Sequence, residues 1–144
     1  MNFKVELAER RELGWLCDRS GWPRDSVSAG ARGIKVVHGG RVLAMVGYDQ
    51  WTPAAVQCHV AVDTPSAWLP LLRGPGGGPS FRYPFVECGR DVLVGVVPED
   101  NHRSRRACER LGFRLAHTVE GGFAPGCDLL LYEMRRAECR YLGG

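Results

Sequence analysis

The sequence predicts an α/β fold in which a mixed, mostly antiparallel sheet contains a central parallel strand pair and carries helices on both faces. Two β-rich runs flank a Gly-Gly pair, an apolar-polar alternation follows them, and a later continuous apolar run leads directly into a capped helix. The length of 144 residues matches one ordinary domain. Residues 1–144 are therefore expected to form a single domain with a packed core.

The N-terminal segment, residues 4–20, is predicted to be a helix. A hairpin is predicted next, because runs at residues 34–38 and 41–48 are separated by Gly39-Gly40, and a tight primed turn needs positive φ at its central positions. The helix prediction rests on apolar residues that recur at helical spacing among charged ones, namely Leu7, Leu13, Leu16 and Cys17.

The middle of the chain predicts a strand, a loop and a short helix. Apolar and polar residues alternate over residues 56–63, as in a half-buried strand. Prolines and glycines crowd residues 65–79, so a loop is expected there. Residues 80–88 are predicted to be helical, with Gly89 as the terminating glycine.

The C-terminal third predicts a strand, a helix and two further strands. The apolar run at residues 92–97 is typical of a strand covered on both faces, and so of a central, parallel strand. Asp100 or Asn101 then caps a helix that closes at Gly112. The last two strands are separated by a glycine-rich turn region at residues 121–126.

Composition excludes several classes of protein. The net charge of +3 is small for a protein that binds nucleic acid by neutralising phosphates, so nucleic acid is not expected as a partner. The six cysteines include no C-x-x-C pair and most lie in apolar runs, which favours reduced, buried thiols over disulfides. The histidines lack metal-ligand spacing, and no metal is expected. Without an export segment or an apolar span of about 20 residues, a cytoplasmic protein without membrane contact is expected.

Two motifs carry candidate chemistry. The first, Arg73-Gly74-Pro75-Gly76-Gly77-Gly78, fits R-x-x-G-x-G between a strand and a helix, where backbone N–H groups can bind a phosphate. Taken alone, such a segment is more often a flexible connector. The second motif, N-x-x-S-x-x-x-C-E-R-L-G-F, runs from Asn101 to Phe113 and directly follows the apolar strand.

In this order and context, the two motifs resemble those of the GNAT superfamily of acetyl-CoA-dependent N-acetyltransferases. The resemblance covers about residues 33–134. It is most specific from Asn101 to Phe113, which is similar to the family's N-x-x-A-x-x-x-Y-E-K-L-G-F signature with every spacing kept. The short chain and its closing segment, Arg135 to Arg140, are also similar to small acetyltransferase-like proteins of phages and prophages.

The resemblance implies a binding site for acetyl-CoA as co-substrate. Its pantetheine arm would lie in a wedge between the strands of residues 56–63 and 92–97, paired with backbone groups like an added strand. The glycines and Arg73 would hold the diphosphate, Asn101 would face pantetheine, and Arg105 would meet a phosphate. The implied cofactor-binding residues are Val60, Ala61, Val62, Arg73, Gly74, Gly76, Gly77, Gly78, Asn101, Ser104 and Arg105.

Two departures from the family pattern bear on catalysis. Residues 68–72 lengthen the connection before the glycines, and Cys108 stands where the family commonly has its general-acid tyrosine. The Cys108 thiol can protonate a leaving CoA thiolate, although a buried small residue is the other interpretation. His59 is the expected general base, because it flanks the wedge and titrates near neutral pH. The alternative is that His59 has no catalytic function. Glu99 and Glu120 are further candidates for the general base.

The sequence thus predicts an N-acetyltransferase that moves an acetyl group from acetyl-CoA to a primary amine by direct attack in a ternary complex. The acceptor is a small molecule or a protein. A catalytically inactive GNAT-fold binding or regulatory protein is the alternative, and a nucleic-acid role of the arginine-rich residues 101–114 is a third interpretation. The sequence leaves open the acceptor's identity and whether the chain forms a homodimer.

Overall fold

A seven-stranded sheet lies at the centre of the computed structural model, which describes residues 2–143. The strands are β1 (Lys4–Ala8), β2 (Arg32–His38), β3 (Arg41–Asp49), β4 (Ala55–Val62), β5 (Val92–Pro98), β6 (Arg114–Ala124) and β7 (Cys127–Arg135). Their order is β1-β2-β3-β4-β5-β7-β6, and neighbours run antiparallel except β4 and β5, which are parallel. The predicted mixed sheet with a central parallel pair is confirmed.

Within residues 2–143, the helices lie between strands. They are α1 (Leu13–Ser20), α2 (Trp68–Leu72), α3 (Pro79–Arg82) and α4 (His102–Leu111), with short 3-10 turns at Arg10–Glu12, Arg24–Ser26, Pro65–Ala67 and Arg136–Glu138. Helix α3 continues as a π-helical turn over Tyr83–Glu87. Pro84 has no N–H to give to the Ser80 carbonyl, and the Tyr48 hydroxyl donates to that carbonyl instead, at 2.5 Å.

Helices cover both faces of the sheet, as predicted. Successive side chains of β3 point to opposite faces, so that Ala44, Val46 and Tyr48 join the apolar cluster of α2 and α3. Met45 instead packs in a second cluster with Leu16 of α1.

The predicted helix over residues 4–20 is wrong in its first half. Residues Lys4–Ala8 form the edge strand β1, which pairs antiparallel with β2, and the α-helix begins only at Leu13. Leu7, which the helical pattern assigned to an apolar stripe, is 69% exposed. The K-V-E-L-A segment also alternates with period two, and pairing with the free edge of β2 decides between the two structures.

Two predicted loops are partly regular. Pro65 begins a 3-10 turn that leads into α2, whose Leu71 is buried in the core. Strand β6 continues through Gly121-Gly122 to Ala124, so the turn between the last strands is confined to Pro125-Gly126.

Several local predictions are confirmed. The Gly39-Gly40 turn of the β2–β3 hairpin has φ angles of 59° and 75°. The Asn101 side chain caps α4 by accepting the Ser104 N–H at 3.1 Å, and Gly112 ends it with φ at 100°. All six cysteines are free thiols, but Cys17 alone is buried and the others are half-buried. In the described part of the chain, none of the helices has the length and apolar character to cross a membrane.

Gly47 on β3 lets α1 approach the sheet closely. A Cβ at this position would lie 2.7 Å from Leu16 and 2.8 Å from Trp22. Gly47→Ala should therefore lower the free energy of unfolding by about 1–3 kcal/mol, measured by urea denaturation. Gly30→Ala is the control, because its Cβ would meet no atom closer than 3.7 Å. Equal losses in the two variants would contradict close packing as the cause.

Candidate active site

Strands β4 and β5 separate soon after they begin to pair. Gln57 and Val94 are the last paired residues, although β4 continues to Val62 and β5 to Pro98. On the outer sides, β3 stays paired with β4 to Val62 and β7 stays paired with β5 to Pro98. The predicted divergence of the two strands is confirmed, and a wedge opens between them.

Alternate residues of β4 direct their backbone groups into this wedge. Just after the strand, the N–H of Asp63 donates to the Leu43 carbonyl of β3 at 2.8 Å. Because successive residues point their backbone groups to opposite sides of a strand, Ala61 also faces β3. Val60 and Val62 therefore face the wedge, where β5 no longer supplies partners.

A cleft of about 720 Å³ runs through the wedge, bordered by β4, β5 and α1 to α4. This volume is within the range of about 300–1,000 Å³ of small-molecule sites. Of the residues predicted from the sequence, the cleft is lined by His59, Val60, Ala61, Val62, Asn101, Ser104 and Cys108. The predicted residues that do not line it are Arg73, Gly74, Gly76, Gly77, Gly78 and Arg105.

His59 lies in the cleft wall against an aromatic ring. Its imidazole stacks on the Trp22 indole, with ring centroids 4.2 Å apart and an interplanar angle of 9°. Burial lowers the pKa of His59 to about 4, against the opposing charge of Asp49. The imidazole is thus neutral at pH 7, which differs from the expected titration near neutrality. At that pKa it is a weak base and a good hydrogen-bonding group.

The buried carboxylate of Asp49 carries a fixed charge near His59. It accepts hydrogen bonds from the hydroxyl of Ser28 and from the Ser28 N–H, the latter at 2.9 Å. Burial disfavours its ionisation, but these hydrogen bonds prevail and lower the pKa of Asp49. The carboxylate is therefore ionised at neutral pH.

Cys108 presents a protonated thiol to the cleft. Its Sγ is 3.8 Å from the position that a Cβ would take on Gly95, so the missing side chain of Gly95 leaves room for the sulfur. Burial, and secondarily the charge of Glu109, raises the pKa of Cys108 to about 11. A thiol of this kind holds its proton at pH 7 and is a poor nucleophile.

The C-terminal tail, residues 139–143, covers the end of the glycine-rich loop, whereas Arg73, Gly74 and Gly76 stay exposed. The Gly78 N–H donates to the Tyr141 carbonyl at 2.7 Å, and the Gly77 N–H donates to the Gly74 carbonyl at 3.0 Å. Both Gly77 and Gly78 are buried. A Cβ on Gly77 would lie 2.9 Å from the backbone of Tyr141 and Leu142. These two amides are thus occupied within the chain.

The cleft is strongly cationic. Arg105, which was predicted to meet a phosphate, donates to the Glu99 carbonyl at 2.9 Å and lies off the cleft. Among residues 2–143, Asp63 is the one carboxylate that lines the cleft, and it is paired with Arg19 at 2.9 Å. Sequence reasoning missed the arginines that do line the cleft, although three of them share one face of α4: Arg19, Arg103, Arg106 and Arg110.

The other groups considered from the sequence are not part of the cleft. The Glu99 carboxylate accepts the Asp128 N–H at 3.0 Å, and Glu120 lies exposed on β6. Among residues 2–143, no three or more His, Cys, Asp or Glu side chains are grouped so as to hold a metal ion.

Comparisons with known proteins identify the fold. Neither models of protein families nor curated protein sequences match this chain. Mutant forms of the spermidine/spermine N-acetyltransferase SpeG from Vibrio cholerae superpose with a TM-score of 0.70 at 12% identity, covering 94% of this chain and 96% of SpeG. The N-acetyltransferase PseH from Campylobacter jejuni, in complex with acetyl coenzyme A, gives 0.59 at 10%, covering 94% and 99%. A GNAT-family protein from Desulfovibrio desulfuricans gives 0.67 at 13%, covering 93% and 99%.

The low pKa of His59 makes stability depend on pH. An unfolded histidine has a pKa of about 6.5, so the unfolded chain binds a proton at this position below that pH. In the folded chain, His59 does not bind the proton until the pH falls to about 4. This contribution to stability is complete above pH 6.5 and is lost as the pH falls towards 4. When the pH is lowered from 7.5 to 5, the free energy of unfolding of wild type should fall by about 2 kcal/mol more than that of His59→Phe. The phenylalanine keeps an aromatic ring against Trp22.

Urea denaturation at the two pH values measures this difference. His117→Phe serves as the matched control, because His117 is exposed on β6. The same pH dependence in wild type and His59→Phe would contradict the assignment.

Proposed function

We propose that this chain, which has the fold of the GNAT acetyltransferases, is an acetyl-CoA-dependent N-acetyltransferase that acts on a primary amine. The observation that supports it most is the separation of β4 from β5 after Gln57 and Val94. This separation leaves an open cleft along strand backbone that has lost its partner. Acetyl-CoA supplies an activated thioester, and the PseH structure with a similar fold contains it.

The wedge suits the pantetheine arm of CoA. An extended chain with two amides can pair with one strand as an added neighbour. Val60 offers both its N–H and its carbonyl to the wedge, and Val62 offers its N–H. The Val62 carbonyl already accepts a hydrogen bond from Arg103 Nη2 at 3.2 Å. The Val62 N–H is therefore the last backbone group of β4 that is available to the ligand.

The side chains around the wedge support direct transfer to an amine. The thioester C–S bond breaks as the amide C–N bond forms, the amine loses a proton to water, and the sulfur gains one. We assign the last proton to Cys108, because its thiol is protonated at neutral pH and lines the cleft. His59, neutral beside Trp22, accepts a hydrogen bond from the incoming amine and orients it.

Thiol release from acetyl-CoA in the presence of a panel of primary amines tests the function. The panel includes amino acids, amino sugars, polyamines and a lysine-containing peptide, and mass spectrometry identifies the acetylated product. We expect at least one class of amine to give stoichiometric thiol and N-acetyl product. Failure of the chain to bind either acetyl-CoA or CoA in calorimetry would overturn the proposal.

Cys108→Ala tests the proton donor. If the thiol protonates the leaving sulfur, kcat should fall about 10²-fold while the Kd of CoA changes little. Cys127→Ala is the matched control, because Cys127 is also a half-buried free thiol but does not line the cleft. An unchanged kcat in Cys108→Ala would assign this thiol to packing alone.

A further inference from the structure

We propose that the phosphates of CoA bind to a row of three arginines on α4, Arg103, Arg106 and Arg110, and not to the glycine-rich loop. This inference rests on the proposed function and concerns a different part of the same ligand. It follows from two independent observations: the Gly77 and Gly78 amides of the loop are occupied within the chain, and the arginines border the cleft without carboxylate partners among residues 2–143.

The tail that covers the end of the loop is built into the core. The Tyr141 ring stacks on Phe81, with centroids 4.8 Å apart and an interplanar angle of 12°. Tyr141 and Leu142 pack against the main apolar cluster, and the Arg140 guanidinium donates to the Arg110 carbonyl at the end of α4. Exposing the Gly77 and Gly78 amides therefore requires apolar contacts and hydrogen bonds to be given up together.

The three arginines lie on one flank of α4, at positions i, i+3 and i+7. All three border the cleft and are exposed. The row is about 10 Å long at the rise of an α-helix, long enough to meet phosphate groups at two places on one ligand. Arg103 is held in position by its hydrogen bond to the Val62 carbonyl, at the outer end of the wedge.

The charge of this row is uncompensated within residues 2–143. None of the three guanidinium groups pairs with a carboxylate there, and Asp63, the acid on the cleft, is taken by Arg19. Arg106 and Arg110 are four residues apart on the helix, a spacing at which like charges repel. A polyanion relieves this repulsion, and the planar guanidinium groups suit phosphate oxygens. The diphosphate and the further phosphate of CoA have this chemistry.

The test compares the binding of CoA with that of pantetheine, which has no phosphate. By calorimetry, Arg106→Gln combined with Arg110→Gln should weaken CoA about tenfold or more, leave pantetheine unchanged, and flatten the salt dependence of CoA binding. Arg105→Gln, on the same helix but bonded to Glu99 away from the cleft, should bind CoA as wild type does. Arg103 is left in place because it also holds the Val62 carbonyl.

Removal of residues 140–144 provides the second arm, with Tyr141→Ala as a point variant if the shortened chain does not fold. Tighter CoA binding after opening the loop, together with full affinity in the double arginine variant, would overturn the arginine row and assign the phosphates to the glycines. Loss of affinity in the double variant without a gain on opening the loop supports the row. Absence of binding of both CoA and pantetheine by wild type would instead reject the proposed function itself.

Discussion

The site depends on hydrogen bonds that β4 and β5 do not make. Backbone N–H and C=O groups need hydrogen-bond partners once water is excluded. Because the parallel pairing stops after Gln57 and Val94, the backbone groups beyond these residues that face the wedge can bind a ligand. The gap does not depend on a mobile loop, because β3 and β7 hold the outer edges of both strands along their length. The sheet itself therefore keeps the cleft open and presents an edge that is already aligned for an extended, amide-bearing molecule.

Burial and hydrogen bonds set the protonation states of the ionisable groups around that edge. Burial keeps the imidazole of His59 neutral and the thiol of Cys108 protonated, whereas Asp49 stays ionised because Ser28 supplies hydrogen bonds. Arg103, Arg106 and Arg110 of α4 remain exposed along the cleft. At neutral pH His59 is thus neutral and Cys108 holds its proton, whereas the carboxylate of Asp49 beside His59 is ionised.

The parts that could be predicted from the sequence are those set by neighbouring residues. The Gly39-Gly40 turn, the Asn101 cap and the apolar run of β5 each follow from local chemistry, and the divergence of two strands followed from a family resemblance. Two features escaped because they depend on distant partners. Residues 4–8 became a strand because the edge of β2 was free, and the tail covered the end of the glycine loop through contacts with no local pattern. The spacing of the arginines on α4 could be read from the sequence. Which neighbouring elements this face of the helix borders could not, because core packing sets the orientation of α4.

The contact of Tyr141 with the end of the glycine loop also has a consequence for how the protein is made. The Gly78 N–H and the Tyr141 carbonyl that it binds lie at opposite ends of the second half of the chain. A domain generally folds as a unit, and α3 leaves the ribosome before the tail that covers its first turn. Until the tail follows, the Gly78 N–H lacks the partner that it has in the folded chain. A message that ends a few codons early would release a chain in which the Gly78 N–H never gains that partner.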